Sequence, residues 1–259
     1  MGSLELTNSC RLFVAALALS CQPTPSASAP PASLAPAAFE TPPPSRAEAE
    51  AQPTAQELPV DADDGVWGSA LAPVTVLVFT DLQCPFCARA HATLVELERR
   101  YGEARLRVVI KHVPLSNHEG AVPAARMAQA VLAVYGRQQF FRFIDHAFKN
   151  QDRVASGEAV PLVSELGLDP RKLIESANSA AIGAQVLRDV MLADHIAVPA
   201  TPHFRINGVG LTGALPSSDL ARVINGELAE AEALRKQGMA EADVYAARVR
   251  ENMTTTPTR

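Results

Sequence analysis

The hydrophobic positions of the chain follow two periodicities, and the change from one to the other marks the predicted elements. Residues 74–80 are almost continuously apolar and rich in β-branched side chains, which is typical of a strand covered on both faces. The next segment has apolar residues at helical spacing and then a glycine: Ala90, Leu94, Leu97, Tyr101 and Gly102. A second apolar run at 106–112 predicts another strand. Strand, helix and strand in this order predict a right-handed βαβ unit with parallel strands.

The middle of the chain has a helical pattern throughout, and a hairpin signal follows it. From about residue 119 to 195, apolar residues recur at helical spacing in several amphipathic segments. Asn207-Gly208 then separates two short apolar runs, which is the strongest short-range signal for a β-hairpin. A helical pattern begins near Pro216, and residues 230–250 continue it after a break at Gly238. Together these signals predict an α/β domain.

The candidate chemistry lies at Cys84-Pro85-Phe86-Cys87, between the first predicted strand and the first predicted helix. Two cysteines two residues apart at a helix start can form and break a disulfide reversibly. The partial positive charge and unpaired N–H groups of a helix N-terminus favour a thiolate on Cys84. The pattern therefore indicates redox chemistry. A zinc half-site and a structural disulfide are the alternatives, although no second CxxC or CxxH exists to complete a zinc site.

Charge excludes one class of partner, and the cysteines indicate export. The 259 residues have a net charge of −5 and no basic stripe with interleaved aromatics, so nucleic-acid binding is not supported. The apolar run at 12–19 has the length of a signal-peptide core but is too short to span a bilayer. Small residues before Cys21 resemble a bacterial lipoprotein signal. We predict a signal peptide at 1–21 and lipidation of Cys21, with cleavage after Ala29 as the alternative.

A proline-rich segment follows the predicted signal. Residues 22–60 contain ten prolines, ten alanines and few large apolar side chains. Such a stretch cannot bury a core and predicts a disordered linker. The chain then divides into this linker, a folded domain at 61–230, and a C-terminal helical extension and tail at 231–259. After lipidation the folded part would contain only the cysteines of the CxxC pair, which suits disulfide exchange in an oxidising compartment.

Three separated strings resemble the DsbA-like thiol–disulfide oxidoreductases, a group of exported bacterial proteins in the thioredoxin superfamily. They are FTDLQCPFC at 79–87, KHVPL at 111–115 and TPHFRING at 201–208. The resemblance covers roughly residues 66–228. It implies a thioredoxin fold of βαβ, cis-proline and ββα. It also implies a helical insertion at about 119–195, between the second strand and the cis-proline.

The resemblance also implies roles for particular residues. Cys84, nearer the helix start and normally exposed, would be the attacking cysteine, and Cys87 would be the buried resolving cysteine. Pro202 matches the cis-proline that packs beside the disulfide in this family. The carbonyl and N–H of Thr201 would then be free to pair with a substrate peptide as an added strand.

Further candidate residues surround this centre. Pro85 suits the first helical turn, and the apolar Phe86 offers no positive charge, so this dipeptide would tune the redox poise. Many relatives carry a buried acid six residues before the first cysteine, where this chain has Val78. Asp81 is the nearest carboxylate and would either relay protons through water or cap the loop. His203 would either stabilise the thiolate of the attacking cysteine when protonated or be an ordinary strand residue.

These observations lead to an expected function. We expect a protein disulfide oxidoreductase that acts on exported proteins, most readily as an oxidant, with the Cys84–Cys87 disulfide as its redox group and no metal or separate cofactor. It would be a monomer in the periplasm or cell envelope, anchored to a membrane through Cys21 and recycled by a membrane redox partner. A periplasmic reductase or isomerase is the first alternative. A non-catalytic metal-binding or peptide-binding thioredoxin-fold module is the second.

Overall fold

The computed structural model describes residues 58–255. The predicted signal peptide, its lipidation site Cys21 and nearly all of the predicted linker lie outside this range. The described chain is packed from its first residue, because the Leu58 side chain is only 1% exposed. The Leu58 carbonyl also accepts a 2.8 Å hydrogen bond from the Tyr245 hydroxyl. The packed chain therefore starts slightly before residue 61.

The described residues form one mixed five-stranded sheet. Its strands are β1 Gly65–Trp67, β2 Val74–Thr80, β3 Leu106–His112, β4 His203–Ile206 and β5 Val209–Thr212. They lie in the spatial order β1-β3-β2-β4-β5. The pair β2 and β3 is parallel, and the other neighbouring pairs are antiparallel. The sequence pattern predicts β2 to β5, whereas the three-residue β1 is too short to show a periodicity.

Helices surround this sheet. They are α1 Pro85–Tyr101, α2 Ala121–Tyr135, α3 Arg137–Lys149, α4 Gln151–Ala155, α5 Ala159–Glu165, α6 Pro170–Ala177, α7 Ala180–His195, α8 Ser217–Lys236 and α9 Glu241–Thr255. The run from α2 to α7 lies between β3 and β4, where the sequence pattern is helical throughout. The parallel β2 and β3 joined by α1 confirm the predicted βαβ unit. Within residues 58–255, no helix combines the length and the apolar character needed to cross a membrane.

The central strand β2 is buried on both faces, because all seven of its residues are buried. Successive side chains of a strand point to opposite faces of the sheet. Val78 therefore lies in the apolar core that contains Leu94 of α1. Phe79 lies in a second core that contains Val249 of α9. The continuous apolar run in the sequence thus has a direct cause, since helices cover both faces of this strand.

The turn between β4 and β5 fits closely against α9. Asn207 and Gly208 have positive φ angles of 45° and 97°, as a two-residue hairpin turn requires. A Cβ atom at Gly208 would lie 3.2 Å from the backbone of Val249, so the close approach of α9 also favours glycine. The Asn207 side chain accepts the N–H of Thr75 at 2.9 Å and donates to the Pro73 carbonyl at 3.0 Å. These two bonds tie the turn to the start of β2.

A buried ion pair connects α9 to α8. Arg248 donates to both carboxylate oxygens of Glu227 at 2.9 Å, and each of these residues is 5% exposed. Asn252 of α9 donates to Glu227 and to the Asn207 carbonyl, both at 2.9 Å. Because the hydrogen-bonding atoms of the pair are satisfied, the ion pair tolerates removal from water.

Arg248→Ala should lower the free energy of unfolding by about 3–5 kcal/mol, because it leaves the Glu227 carboxylate buried without its partner. The matched control Arg250→Ala, at an exposed position of the same helix, should change it by less than about 0.5 kcal/mol. Chemical denaturation followed by circular dichroism measures both. Equal effects of the two substitutions would contradict the role assigned to the ion pair.

Candidate active site

The CxxC segment forms the start of α1. Cys84 is the N-cap residue, with φ −73° and ψ 121°, and Pro85 stands in the first helical turn. The Cys84 carbonyl accepts the N–H groups of Cys87 at 3.0 Å and Ala88 at 3.2 Å. The two thiols therefore lie one turn apart at a helix N-terminus, and both are free cysteines in this structure.

The two cysteines are buried, whereas the two residues between them are exposed. Cys84 is 4% exposed and Cys87 is 1% exposed, but Phe86 is 52% exposed and Pro85 is also at the surface. The expectation that Cys84 is exposed is therefore wrong. Its side chain belongs to the same apolar core as Val78.

The segment before β4 covers the sulfur of Cys84. The peptide bond between Thr201 and Pro202 is cis, as the resemblance implies. The Cys84 thiol donates to the Thr201 carbonyl, with a sulfur–oxygen distance of 3.8 Å. The antiparallel register of β2 and β4 pairs Phe79 with His203, so the end of β2 and the start of β4 share one edge of the sheet. This pairing brings together two motifs that lie far apart in the sequence.

Cys87 is held in its neutral form. Burial raises the pKa of the Cys87 thiol to about 12, against smaller opposing effects from hydrogen bonds. The backbone N–H of Asp81 donates to the Cys87 sulfur at 3.4 Å, and the Thr80 side chain also bonds to this thiol. Hydrogen bonds to the sulfur favour its charged form, but they do not outweigh the loss of water.

The Asp81 carboxylate caps the loop before α1. It accepts the backbone N–H of Gln83 at 2.7 Å and that of Leu115 at 2.8 Å. A nitrogen of the His118 ring lies 2.8 Å from the same carboxylate. Asp81 itself is 1% exposed. Of the two interpretations left open by the sequence, this arrangement favours the structural cap.

His203 and the cysteines lie on opposite faces of the sheet. Burial, with a contribution from the nearby Arg205 cation, lowers the pKa of His203 to about 4, so the ring is neutral at neutral pH. The side chain shares a face of the sheet with Phe79, and the two rings are 6.1 Å apart. The cysteines belong to the core on the opposite face. This arrangement favours the interpretation of His203 as a strand residue over that of a thiolate-stabilising cation.

A group of buried charges lies at the end of β3. Lys111 is 1% exposed and donates to both oxygens of Asp64, at 2.8 and 2.9 Å. The Asp189 carboxylate lies 3.4 Å from the same ammonium group and accepts the backbone N–H of His112 at 2.8 Å. Burial raises the pKa of Asp189 to about 7, despite the nearby lysine. This group joins the segment before β1, the end of β3 and helix α7.

His112 is fully buried beside the active-site loop. Its relative exposure is 0%, and neither ring nitrogen has a hydrogen-bond partner. The ring packs edge-on against Phe140, and its strand position pairs with Thr80 of β2. Burial is the main cause that lowers the pKa of His112 to about 4. The folded protein therefore holds this imidazole in its neutral form.

Acidic side chains before β1 could hold a cation. Asp61, Asp63 and Asp64 form the one group of three such ligands within residues 58–255 whose donor atoms lie close together. Asp64 is already paired with Lys111. In this part of the chain, no such group of three includes the cysteines.

Sequence reasoning did not identify one residue that contacts the loop. Gln151, the first residue of α4, donates through its side-chain amide to the carbonyls of Leu82 at 3.1 Å and Cys84 at 2.8 Å. No motif marks a glutamine at this position, and it lies 67 residues from Cys84. Only the packing of the insertion against the loop shows its involvement.

Comparison with known proteins establishes the family. A family model described as thioredoxin matches residues 61–226, which is well over half of the chain. The chain therefore belongs to the thioredoxin family.

Solved structures agree on the fold. A thioredoxin-like oxidoreductase from Silicibacter pomeroyi DSS-3 superposes with a TM-score of 0.58 at 23% identity, covering 70% of this chain and 95% of that one. Wolbachia pipientis alpha-DsbA1 gives a TM-score of 0.62 at 18% identity, covering 70% and 98%. A periplasmic thioredoxin-like protein from Salmonella enterica serovar Typhimurium gives 0.51 at 24% identity, covering 67% and 94%. The predicted thioredoxin fold is confirmed.

The curated relatives are longer proteins. A Na(+)/H(+) antiporter NhaA from Herminiimonas arsenicoxydans is 29% identical over 173 residues, which are 66% of this chain and 27% of the antiporter. The chain thus spans about a quarter of the length of the curated relatives it matches.

Acidification from pH 6.5 to 4 should destabilise the protein through His112. The unfolded chain binds a proton on this residue over that range, whereas the folded protein binds it only near pH 4. The stabilisation is therefore complete above pH 6.5, and about 3 kcal/mol is lost as the pH falls to 4.

Denaturation of wild type and His112→Leu at a series of pH values isolates this contribution. Other perturbed groups, such as Glu98 with its pKa raised to about 7 by burial, are present in both proteins. We expect the variant to lose less stability on acidification than wild type. Parallel stability curves would show that His112 does not titrate as described.

Proposed function

We propose that this protein is a thiol–disulfide oxidoreductase that oxidises the thiols of exported proteins through Cys84 and Cys87. The contact between the Cys84 thiol and the Thr201 carbonyl carries the proposal, because it combines a thiol at a helix N-terminus with a cis-proline segment. Membership of the thioredoxin family supports it further. In this proposal the sulfur of Cys84 forms the mixed disulfide with the substrate. When the reaction runs in the reducing direction, Cys84 attacks the substrate disulfide and Cys87 resolves the mixed disulfide.

The proposed oxidation needs only the cysteines. A substrate thiolate attacks the sulfur of Cys84 in the Cys84–Cys87 disulfide, which breaks that bond and forms a mixed disulfide through Cys84. Cys87 leaves as a thiolate and takes up a proton, which its pKa of about 12 favours. A second substrate thiolate then attacks the substrate sulfur of the mixed disulfide and releases the Cys84 thiolate. Two electrons pass from the substrate to the enzyme, with no cofactor.

Two features of the site support this direction of attack. Cys84 is the N-cap residue and is 4% exposed, whereas Cys87 lies one turn into the helix and is 1% exposed. The backbone N–H of Asp81 lies 3.4 Å from the Cys87 sulfur, where it stabilises negative charge as the bond breaks. The Cys87 thiolate, which is the leaving group, thus has a backbone hydrogen-bond donor. In this proposal its departure does not require an acidic side chain at position 78.

Substrate would bind along the edge formed by Thr201 and Pro202. Pro202 has no N–H, and an extended peptide would pair as an added strand with the backbone of Thr201, whose carbonyl accepts the Cys84 thiol in this structure. The Cys84 sulfur contacts this edge, and the exposed Pro85 and Phe86 follow Cys84 in the sequence. The Arg89 guanidinium lies 4.6 Å from the centre of the Phe86 ring. His203 supports this edge by pairing with Phe79 in the strand that follows Pro202.

We further propose a location and a set of partners. The substrates are the thiols and disulfides of exported proteins, and a membrane redox partner reoxidises the enzyme. The protein works as a monomer in the periplasm or cell envelope, held by a lipid on Cys21. The apolar run at 12–19 and the small residues before Cys21 support export and lipidation.

Cys84→Ser should abolish disulfide exchange, because the sulfur that forms the mixed disulfide is removed. Cys87→Ser should instead trap a mixed disulfide with a disulfide-bonded peptide, because the Cys84 thiolate attacks the peptide disulfide, a peptide thiolate leaves, and no second enzyme thiol remains to resolve the product. Oxidation of a reduced two-cysteine peptide by the oxidised enzyme measures the first effect. Mass spectrometry of Cys87→Ser mixed with a disulfide-bonded peptide, under non-reducing conditions, measures the second. An active Cys84→Ser protein would refute the mechanism.

The reduction potential of the Cys84–Cys87 pair should lie on the oxidising side but be more negative than the value of about −120 mV that marks the strongest oxidants, because the apolar Phe86 offers the Cys84 thiolate no positive charge. Equilibration with glutathione buffers and thiol trapping measures it. A value near about −270 mV would instead identify a reductase. Titration with Cu(I) tests the remaining alternative, because tight binding combined with slow disulfide exchange would identify a metal-binding module.

A further inference from the structure

The loop that carries Cys84 is attached to the helical insertion by side-chain hydrogen bonds. The amide nitrogen of Gln151 donates to the carbonyl of Leu82 at 3.1 Å and to that of Cys84 at 2.8 Å. A side-chain amide has two N–H donors, and here one carbonyl can take each of them. Gln151 therefore bridges the residues on either side of Gln83.

The Cys84 carbonyl accepts the first backbone hydrogen bonds of helix α1. It already accepts the backbone N–H groups of Cys87 at 3.0 Å and Ala88 at 3.2 Å. The bond from Gln151 adds a third donor to the same oxygen. It orients the peptide group of the residue whose thiol faces Thr201.

A second bond anchors the same loop to the insertion. The side-chain carbonyl of Gln83 accepts the backbone N–H of Gly120 at 2.8 Å. Gly120 lies directly against α4, since a Cβ atom at this position would lie only 1.8 Å from the Val154 carbonyl oxygen. Gln151 and Gly120 thus belong to one packed unit, and the loop is attached to that unit at three successive residues, Leu82, Gln83 and Cys84.

We propose that Gln151 is a positioning residue that sets the redox equilibrium of the Cys84–Cys87 pair. It acts through the Cys84 carbonyl, by holding the first turn of α1 and the Cys84 sulfur in the orientation that stabilises the reduced pair. The N–H groups also direct the positive end of an amide dipole toward Cys84, which favours a thiolate. This role rests on the proposed function, because it concerns the same two cysteines.

Three variants of the full chain test this role. Gln151→Met keeps the length of the side chain and removes both donors. Gln151→Glu replaces the donors by a carboxylate that repels both carbonyls and a thiolate. Gln138→Met is the matched control, because Gln138 is an exposed glutamine of α3 in the same insertion.

The first measurement is the redox equilibrium of each protein with glutathione. In this reaction two glutathione molecules reduce the Cys84–Cys87 disulfide to the dithiol and form glutathione disulfide. We expect Gln151→Met to favour the disulfide about threefold more than wild type does. Gln151→Glu should favour it about tenfold more, which corresponds to about 30 mV. Gln138→Met should match wild type. Shifts below twofold in both Gln151 variants would overturn the proposal, even if their thermal stability is reduced.

The second measurement separates this proposal from the proposed function. The rate of Cys84 alkylation by iodoacetamide is followed against pH in the reduced proteins, with Cys87→Ser as the background. The pH of half-maximal rate should rise in both Gln151 variants and stay constant in Gln138→Met. If wild type formed no Cys84–Cys87 disulfide, the proposed function would fail, yet this pH profile would still decide the role of Gln151. If Gln151→Glu does not fold, Gln151→Met alone decides it.

Discussion

The antiparallel pairing of β2 with β4 is the constraint on which the candidate active site depends. Because Phe79 pairs with His203, the carboxyl end of one strand and the amino end of the other share an edge of the sheet. Cys84 follows the first strand and Thr201 precedes the second. Their thiol and carbonyl therefore meet at 3.8 Å, although the residues are 117 positions apart. A change of this register would separate the helix N-terminus from the cis-proline segment.

Buried charges fix the segments that surround this sheet. Lys111 with its carboxylate partners joins the segment before β1 to α7, and Arg248 with Glu227 joins α9 to α8. Buried ions are stable only when their hydrogen-bonding groups are satisfied. These pairs therefore specify where the flanking elements pack, which apolar contacts alone do not do. The central strand β2 leads directly into the active-site loop.

The regular elements of this fold could be predicted because their patterns are local. Continuous apolar runs identify β2 and β3, and Asn207-Gly208 identifies the hairpin, as the structure confirms. β1 could not be predicted, since three residues do not show a periodicity. The exposure assigned to Cys84 was wrong because it depends on a segment that is distant in the sequence. The neutral state of His203 likewise depends on burial that no local pattern reports.

Gln151 shows the same limit within the site itself. Glutamine at a helix start carries no signal, and its importance arises only where α4 packs against the loop. The sequence by itself determined the elements, their order and the pair of cysteines, because periodicity and spacing are local properties of the chain. Only the tertiary structure decided the burial of Cys84, the high pKa of Cys87 and the donors that reach the loop. These properties come from contacts between distant segments, and contacts of that kind control solvation and hydrogen bonding.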